Sequence, residues 1–160
     1  MNGSAFCGRF ITGTDVGLYQ RDVKTMRTYS PYLVGVKTDP TRWTGRGMLY
    51  GIQVCLEELF GSPEIRGRTF AIQGVGKVGS ELLRLLYKKA KKIIVADVDE
   101  TRLREAKKKY PKIEVVKASD IHRKRVDVFS PCALSGAINR ATVRELGSAS
   151  DAPALERYLE

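Results

Sequence analysis

Six consecutive residues, Gly74-Val75-Gly76-Lys77-Val78-Gly79, carry glycine at the spacing G-x-G-x-x-G. Each glycine meets a distinct demand of phosphate binding. The first permits a tight turn, the second leaves the backbone open to a diphosphate, and the third lets a helix lie close against a strand. A helix that starts here offers free N–H groups and the positive end of its dipole to the phosphates. The spacing alone is a weak signal, and its surroundings strengthen it. Thr69-Phe70-Ala71-Ile72-Gln73 reads as a short buried strand, a helical pattern follows from Val78 to Ala90, and Asp97 stands 21 residues after Gly76. A carboxylate at that place accepts hydrogen bonds from the adenosine ribose hydroxyls and repels a 2′-phosphate, which favours NAD over NADP. Val98, next to Asp97, is grouped with the cofactor residues. Asp99 reads as the N-cap of the next helix, and Lys92 and Arg102 are cations near enough in sequence to complicate the NAD preference.

These residues need elements to position them. Residues 44–60 read as a helix with Thr44 as its N-cap and one apolar stripe of Met48, Ile52, Cys55, Leu56 and Leu59; Gly61 and Pro63 end it. From residue 68 strands and helices alternate. Ile93 to Ala96 is a second strand, Glu100 to Tyr110 a charged helix stopped by Pro111, and Ile113 to Val116 and Val126 to Phe129 two more strands. In the helix from Val78, Leu82, Leu85 and Leu86 are expected to face inward. Continuous apolar strands separated by helices predict a Rossmann-type, doubly wound parallel α/β sheet. Ile138 to Leu146 reads as one more helix, and no fifth apolar strand follows it, so the sheet is expected to be incomplete, with its distal strands missing. The organisation predicted is 1–43 as a separate segment rich in Gly, Thr, Asp and Pro, 44–146 as the dinucleotide-binding domain, and 147–160 as an atypical tail.

Composition removes several alternatives. A chain of 160 residues with 42% apolar and 29% charged residues suits one soluble domain with a real core. No apolar run approaches the roughly 20 residues that span a bilayer, and residues 1–20 lack the apolar block of a signal peptide; a cytoplasmic protein is expected. Cys7, Cys55 and Cys132 are odd in number and widely spaced, which argues against a disulfide framework or a zinc site. The single histidine, His122, lies in the basic run His122-Arg123-Lys124-Arg125 and reads as a surface residue, so no metal site is expected. The net charge of +10 comes from blocks at Lys88–Lys92, Lys107–Lys109 and Arg123–Arg125. Two of these fall where helices should end, a place the helix dipole favours for cations, and no aromatics interleave with them as single-stranded nucleic acid would require. Nucleic acid is therefore not expected as a partner. An S-adenosylmethionine enzyme would also use a glycine loop and an acidic residue, but leaves the sequence before residue 44 unexplained.

Four segments, in order, resemble the amino-acid dehydrogenases of the glutamate, leucine, phenylalanine and valine group, and more closely the leucine/phenylalanine/valine branch. They are Arg9-Phe10-Ile11-Thr12-Gly13-Thr14-Asp15-Val16-Gly17, Asp39-Pro40-Thr41-Arg42-Trp43-Thr44-Gly45-Arg46-Gly47, the loop Gln73 to Gly79, and Ser130-Pro131-Cys132-Ala133-Leu134 with Asn139. The resemblance implies NAD-dependent oxidative deamination of a branched-chain or aromatic L-amino acid to its 2-oxo acid. It makes residues 1–43 a remnant of the substrate domain and Asp15 the proton-transfer group at the substrate amine. It places Thr44 at the nicotinamide carboxamide, and brings Cys132 and Ala133 to the cofactor through their backbone. It also implies a homo-oligomer in the full-length family. Read without the resemblance, Asp15 between Gly13 and Gly17 is a turn residue.

The departures matter equally. The family's two functional lysines precede its aspartate segment, whereas Lys24 and Lys37 follow Asp15 here; Gly35-Val36-Lys37-Thr38 replaces a Gly-Gly-Ser segment; Leu18 stands where the family usually has Thr; and the strand ending in Gly-Ala-Asn-Asn is absent. The expectation is a chain truncated at both ends, with little activity alone. The alternative is a non-catalytic NAD-binding or regulatory subunit.

Overall fold

The computed structural model describes residues 8–35 and 39–147, and the chain falls into two compact units divided between Pro40 and Thr41. The first unit carries helix α1 (Gln20–Tyr29). The Asp22 carboxylate accepts the Tyr19 N–H at 2.8 Å and so satisfies one of the donors a helix start leaves open. Thr12 and Leu33 form a parallel bridge, and Val23 and Leu33 are the unit's buried hydrophobics among the described residues.

The second unit runs α2 (Thr41–Phe60), β1 (Thr69–Gln73), α3 (Lys77–Leu86), β2 (Lys92–Ala96), α4 (Glu100–Lys109), β3 (Glu114–Val115), a 3-10 turn at Ile121–Arg123, β4 (Val128–Pro131) and a 3-10 turn at Val143–Glu145. The sheet order is β3-β2-β1-β4, with every pairing parallel. This is the strand order of one half of a Rossmann fold plus the first strand beyond the switch point.

The period of two along each strand divides the core. Phe70, Ile72, Ile93 and Val95 pack with Ile52 and Leu56 of α2 and Leu82, Leu83 and Leu86 of α3. Ala71, Ile94 and Ala96 share a second cluster with Ile121 and Val126. Each fully buried leucine of α3 contributes about 2 kcal/mol of transfer free energy, so α3 is held by its apolar face. Gly45 of α2 completes that layer. A Cβ there would stand 2.5 Å from Cγ of Glu81, so α2 and α3 meet at a distance only glycine permits.

The observed elements depart from expectation in places, each with a local cause. Helix α2 starts at Thr41, directly after Asp39-Pro40. Proline has no N–H to lose at a helix start and its ring presets φ. Thr44 is therefore an exposed residue of the first turn and not the N-cap. Helix α3 ends at Leu86, and a hydrogen-bonded turn carries the chain to Ala90. Its buried stripe is Gly79, Leu82, Leu83 and Leu86, with Leu85 only half-buried, because the contact at Gly79 sets which side faces the sheet. β4 is shifted two residues, to Val128–Pro131. Asp127 is used just before it, accepting the Thr69 N–H and hydroxyl at 2.7 Å each.

Ile138 to Leu146 does not form the predicted helix. The side-chain Oδ1 of Asn139 accepts the Ala141 and Thr142 N–H groups at 2.9 and 3.1 Å, a local alternative that competes with helix formation. Only Val143–Glu145 turns, with Val143 buried. His122 is not a surface residue. It is buried, and its Nε2 lies 3.0 Å from Oε2 of Glu145, which also accepts from Nε of Arg123 at 2.9 Å. The Gly147 N–H donates to the His122 carbonyl at 2.9 Å and so closes the segment onto the 3-10 turn.

The hydrogen bond with His122, and next the guanidinium of Arg123, hold the Glu145 carboxyl below the ordinary carboxylate range. An acid whose folded pKa is lowered contributes stability above its unfolded pKa, and loses it as pH falls through the folded value. Glu145→Gln should therefore lower stability in urea unfolding at pH 7, and the penalty should shrink as pH falls through the lowered value of the folded carboxyl. A penalty of equal size across that fall in pH would show that the charge of Glu145 is not what pins the segment.

Candidate functional site

Three strand ends converge on the glycine loop. The Gly74 N–H donates to the Ala96 carbonyl at the end of β2, and the Cys132 N–H donates to the Gln73 carbonyl at the end of β1, both at 2.7 Å. Gly74 has φ +94°, a left-handed conformation that favours glycine. A Cβ on it would also stand 2.9 Å from Cys132 backbone atoms and from the Ala133 nitrogen. The backbone of Cys132 and Ala133 thus crosses directly against the loop.

Gly79 is required by distance. A Cβ there would lie 1.9 Å from the Gly74 carbonyl oxygen, so the first turn of α3 rests on the loop itself. Gly76 is different. It is the N-cap of α3 with an extended backbone, and among the described residues a Cβ there would meet, beyond its own chain neighbours, Nη1 of Arg102 alone, at 3.7 Å. The second glycine therefore opens onto free space at the N-terminus of a helix, which is the cradle a diphosphate needs. Ser80 ties the turn together, its hydroxyl donating to the Val75 carbonyl at 2.6 Å. Lys77 is exposed and Val78 half-buried in the first turn of α3.

Asp97 closes the site from β2. Its Oδ2 accepts the Val75 N–H at 2.7 Å and its Oδ1 accepts the Asp99 N–H at 2.9 Å. A carboxylate has lone pairs beyond these two bonds for a ribose hydroxyl. This bracing of the loop was not visible from spacing alone. Asp99 caps α4 as expected, accepting the Thr101 and Arg102 N–H groups. Val98 projects 90% exposed beside Asp97.

Of the expected site residues, Gly74 to Gly79, Asp97, Val98, Cys132 and Ala133 gather at this one end of the sheet. Thr44 lies on α2, next to the Gly45 contact with α3. Asp15 belongs to the first unit and sits exposed in a turn: its Oδ1 accepts the Val16 N–H at 2.7 Å, its carbonyl accepts the Leu18 N–H at 3.2 Å, and Gly17 has φ +80°. Among the described residues there is no cluster of His, Cys, Asp or Glu that could hold a metal ion, and no helix is long and apolar enough to cross a membrane.

The crowded Gly79 and the open Gly76 separate folding from binding. Gly79→Ala drives a methyl into backbone and should cost about 3 kcal/mol or more, read as a lower midpoint in chemical unfolding. Gly76→Ala should unfold within about 1 kcal/mol of the parent. Equal losses for the two variants would contradict the assignment of their roles. Burial pushes the Cys132 thiol up to about 11, so at pH 8 its thiolate fraction is about one in a thousand. Iodoacetamide labelling followed by mass spectrometry should modify exposed Cys55 well before Cys132; preferential labelling of Cys132 would make it a reactive thiol.

Comparisons with known proteins agree with this geometry. Residues 35–101 match the family described as Glutamate/Leucine/Phenylalanine/Valine dehydrogenase. The chain is 37% identical to phenylalanine dehydrogenase of Thermoactinomyces intermedius over 145 residues, 86% of this chain and 40% of the relative. It is likewise 37% identical to L-tryptophan dehydrogenase of Nostoc punctiforme over 156 residues, 96% of this chain and 44% of the relative. The crystal structure of L-tryptophan dehydrogenase from Nostoc punctiforme superimposes with a TM-score of 0.72 at 35% identity, covering 91% of this chain and 42% of that one. The chain thus spans less than half the length of these relatives. With the glycine loop, its acidic brace and the parallel sheet in the expected order, the chain is similar to a part of the Glutamate/Leucine/Phenylalanine/Valine dehydrogenases, and its residues 35–101 match that family.

Proposed function

We propose that this chain is the cofactor-holding part of an NAD-dependent L-amino-acid dehydrogenase. The observation that carries the reading is the open backbone at Gly76, set at the start of α3 and braced through Val75 by Asp97. The reaction is conversion of a branched-chain or aromatic L-amino acid, water and NAD⁺ to the 2-oxo acid, ammonium, NADH and a proton. NAD supplies the hydride acceptor. The residues of this chain bind and orient it. The N–H groups at the start of α3 face the diphosphate, Asp97 accepts from the adenosine ribose, and the exposed Val98 offers an apolar surface beside it. Thr44 bonds the carboxamide, and the Cys132-Ala133 backbone lines the nicotinamide side. Asp15 exchanges the proton at the substrate nitrogen.

In this reading the chain alone turns over slowly. Orientation of substrate and stabilisation of developing charge supply much of the rate in such reactions, and the exposed Asp15 by itself supplies neither. The exposure of Asp15 in a surface turn favours a second reading, a non-catalytic NAD-binding or regulatory subunit that joins a complete dehydrogenase in the cytoplasm. Self-association into a homo-oligomer belongs to the first reading.

Titration of the purified chain by NADH fluorescence tests the shared core of both. NADH should bind more tightly than NADPH, and Gly76→Ala should weaken NADH about tenfold or more while the circular dichroism spectrum is unchanged. Tighter binding of NADPH would overturn the role given to Asp97. Rapid NAD-linked deamination of leucine, valine or phenylalanine by the chain alone would overturn the expectation of low activity.

A further inference from the structure

We infer that Arg102 is an additional ligand for the diphosphate of the dinucleotide, reaching from α4 to the second glycine of the loop; this rests on the proposed dinucleotide site. Among the described residues, the one group within 4 Å of the position a Cβ on Gly76 would occupy, its chain neighbours and local helix backbone aside, is Nη1 of Arg102, at 3.7 Å. Gly76 is the place where the loop is open, so the guanidinium borders the very space the diphosphate enters.

The arm is held in that direction. Its Nε lies 3.3 Å from Oδ2 of Asp99, and the other oxygen of Asp99 accepts the Thr101 and Arg102 N–H groups. One carboxylate therefore caps α4 and fixes the stem of the arginine. The side chain is 53% exposed, so its remaining donors are accessible to an incoming anion. A guanidinium presents its N–H groups in a rigid fork that matches two phosphate oxygens. It also adds a full positive charge to the partial charge of the α3 N-terminus.

Position decides which phosphate is meant. The ribose side of the site belongs to Asp97, whose carboxylate faces the Val75 and Asp99 N–H groups and would repel a 2′-phosphate. Arg102 faces Gly76, where the linking diphosphate approaches. A cation on the diphosphate strengthens NAD and NADP alike, so Arg102 raises affinity without reversing the preference set by Asp97.

The test is equilibrium binding of NADH, ADP and adenosine to the parent chain, Arg102→Ala and Arg102→Lys. Arg102→Ala should weaken NADH and ADP each by about tenfold, the loss expected for one charge-assisted hydrogen-bonding group, and leave adenosine unchanged. Arg102→Lys, which keeps the charge and loses the fork, should fall between. The NADH affinity of the alanine variant should also depend less steeply on salt. Unchanged ADP binding in Arg102→Ala overturns the inference, as does a loss that extends equally to adenosine. A parent chain that binds neither NADH nor ADP overturns the dinucleotide reading itself, which is a different result from a parent that binds and a variant that binds equally.

Discussion

The close approach of helix α3 to the turn after β1 is the constraint on which the rest depends. At Gly79 the helix backbone lies so near the Gly74 carbonyl that a single methyl would sit 1.9 Å from it. That contact fixes where α3 starts and how it is rotated. The buried stripe at Gly79, Leu82, Leu83 and Leu86 follows from it, since these offsets share one helix face. So does the orientation of the helix N-terminus, which opens at Gly76 beside the ends of β1, β2 and β4. A second close approach, Gly45 of α2 against Glu81 of α3, holds α3 from its outer side. The Glu81 carboxyl is kept below its usual range by Arg84, and then by Arg42 and Arg46 across the interface. Both glycines act through the absence of a side chain, and the site is a consequence of packing.

The two faces of the sheet are covered unequally. Three helices and the loop before β3 meet the face that carries Phe70, Ile72, Ile93 and Val95. The other face, with Ala71, Ile94 and Ala96, meets a 3-10 turn and flanking residues. In a doubly wound fold, crossover helices cover both faces. Here the connection from β3 to β4 is a short turn among the described residues, and small side chains on the strands let Ile121 lie close. The segment after β4 is held to this thin layer by His122, Arg123 and Glu145, so ion pairs and hydrogen bonds supply there what helix packing supplies on the other side.

Legibility in the sequence followed the range of the interaction. β1, β2 and α4 were read within about a residue because each is a continuous local pattern, and the glycine loop because its three demands lie within six positions. The stripe on α3 was misread at Leu85, since leucines fill several consecutive places and only the contact at Gly79 chooses among them. The region after Pro131 failed for a different reason. Asn139 and Thr142 divert the backbone from a helix by short side-chain bonds, a competition that an apolar period does not reveal. His122 was placed on the surface because its neighbours are basic; its partner, Glu145, is remote in sequence. The α2 start was missed by favouring Thr44 over Asp39-Pro40, although proline before a helical pattern is itself a start signal.

Asp97 shows how structure and selectivity become tied in one side chain. Its two oxygens hold the Val75 and Asp99 N–H groups, so it joins the loop to the start of α4 before any ribose arrives. The same carboxylate, on the proposed function, discriminates against a 2′-phosphate. Replacing it by a neutral or basic residue to change cofactor preference would also release two backbone donors, of which the one on buried Val75 would cost about 1–3 kcal/mol if left unpaired. Selectivity at Asp97 is therefore resistant to simple substitution, while affinity contributed from α4, through an exposed arginine, can change without disturbing the loop. The division assigns the rigid residue to recognition of the ribose and the adjustable one to the charge common to all dinucleotides.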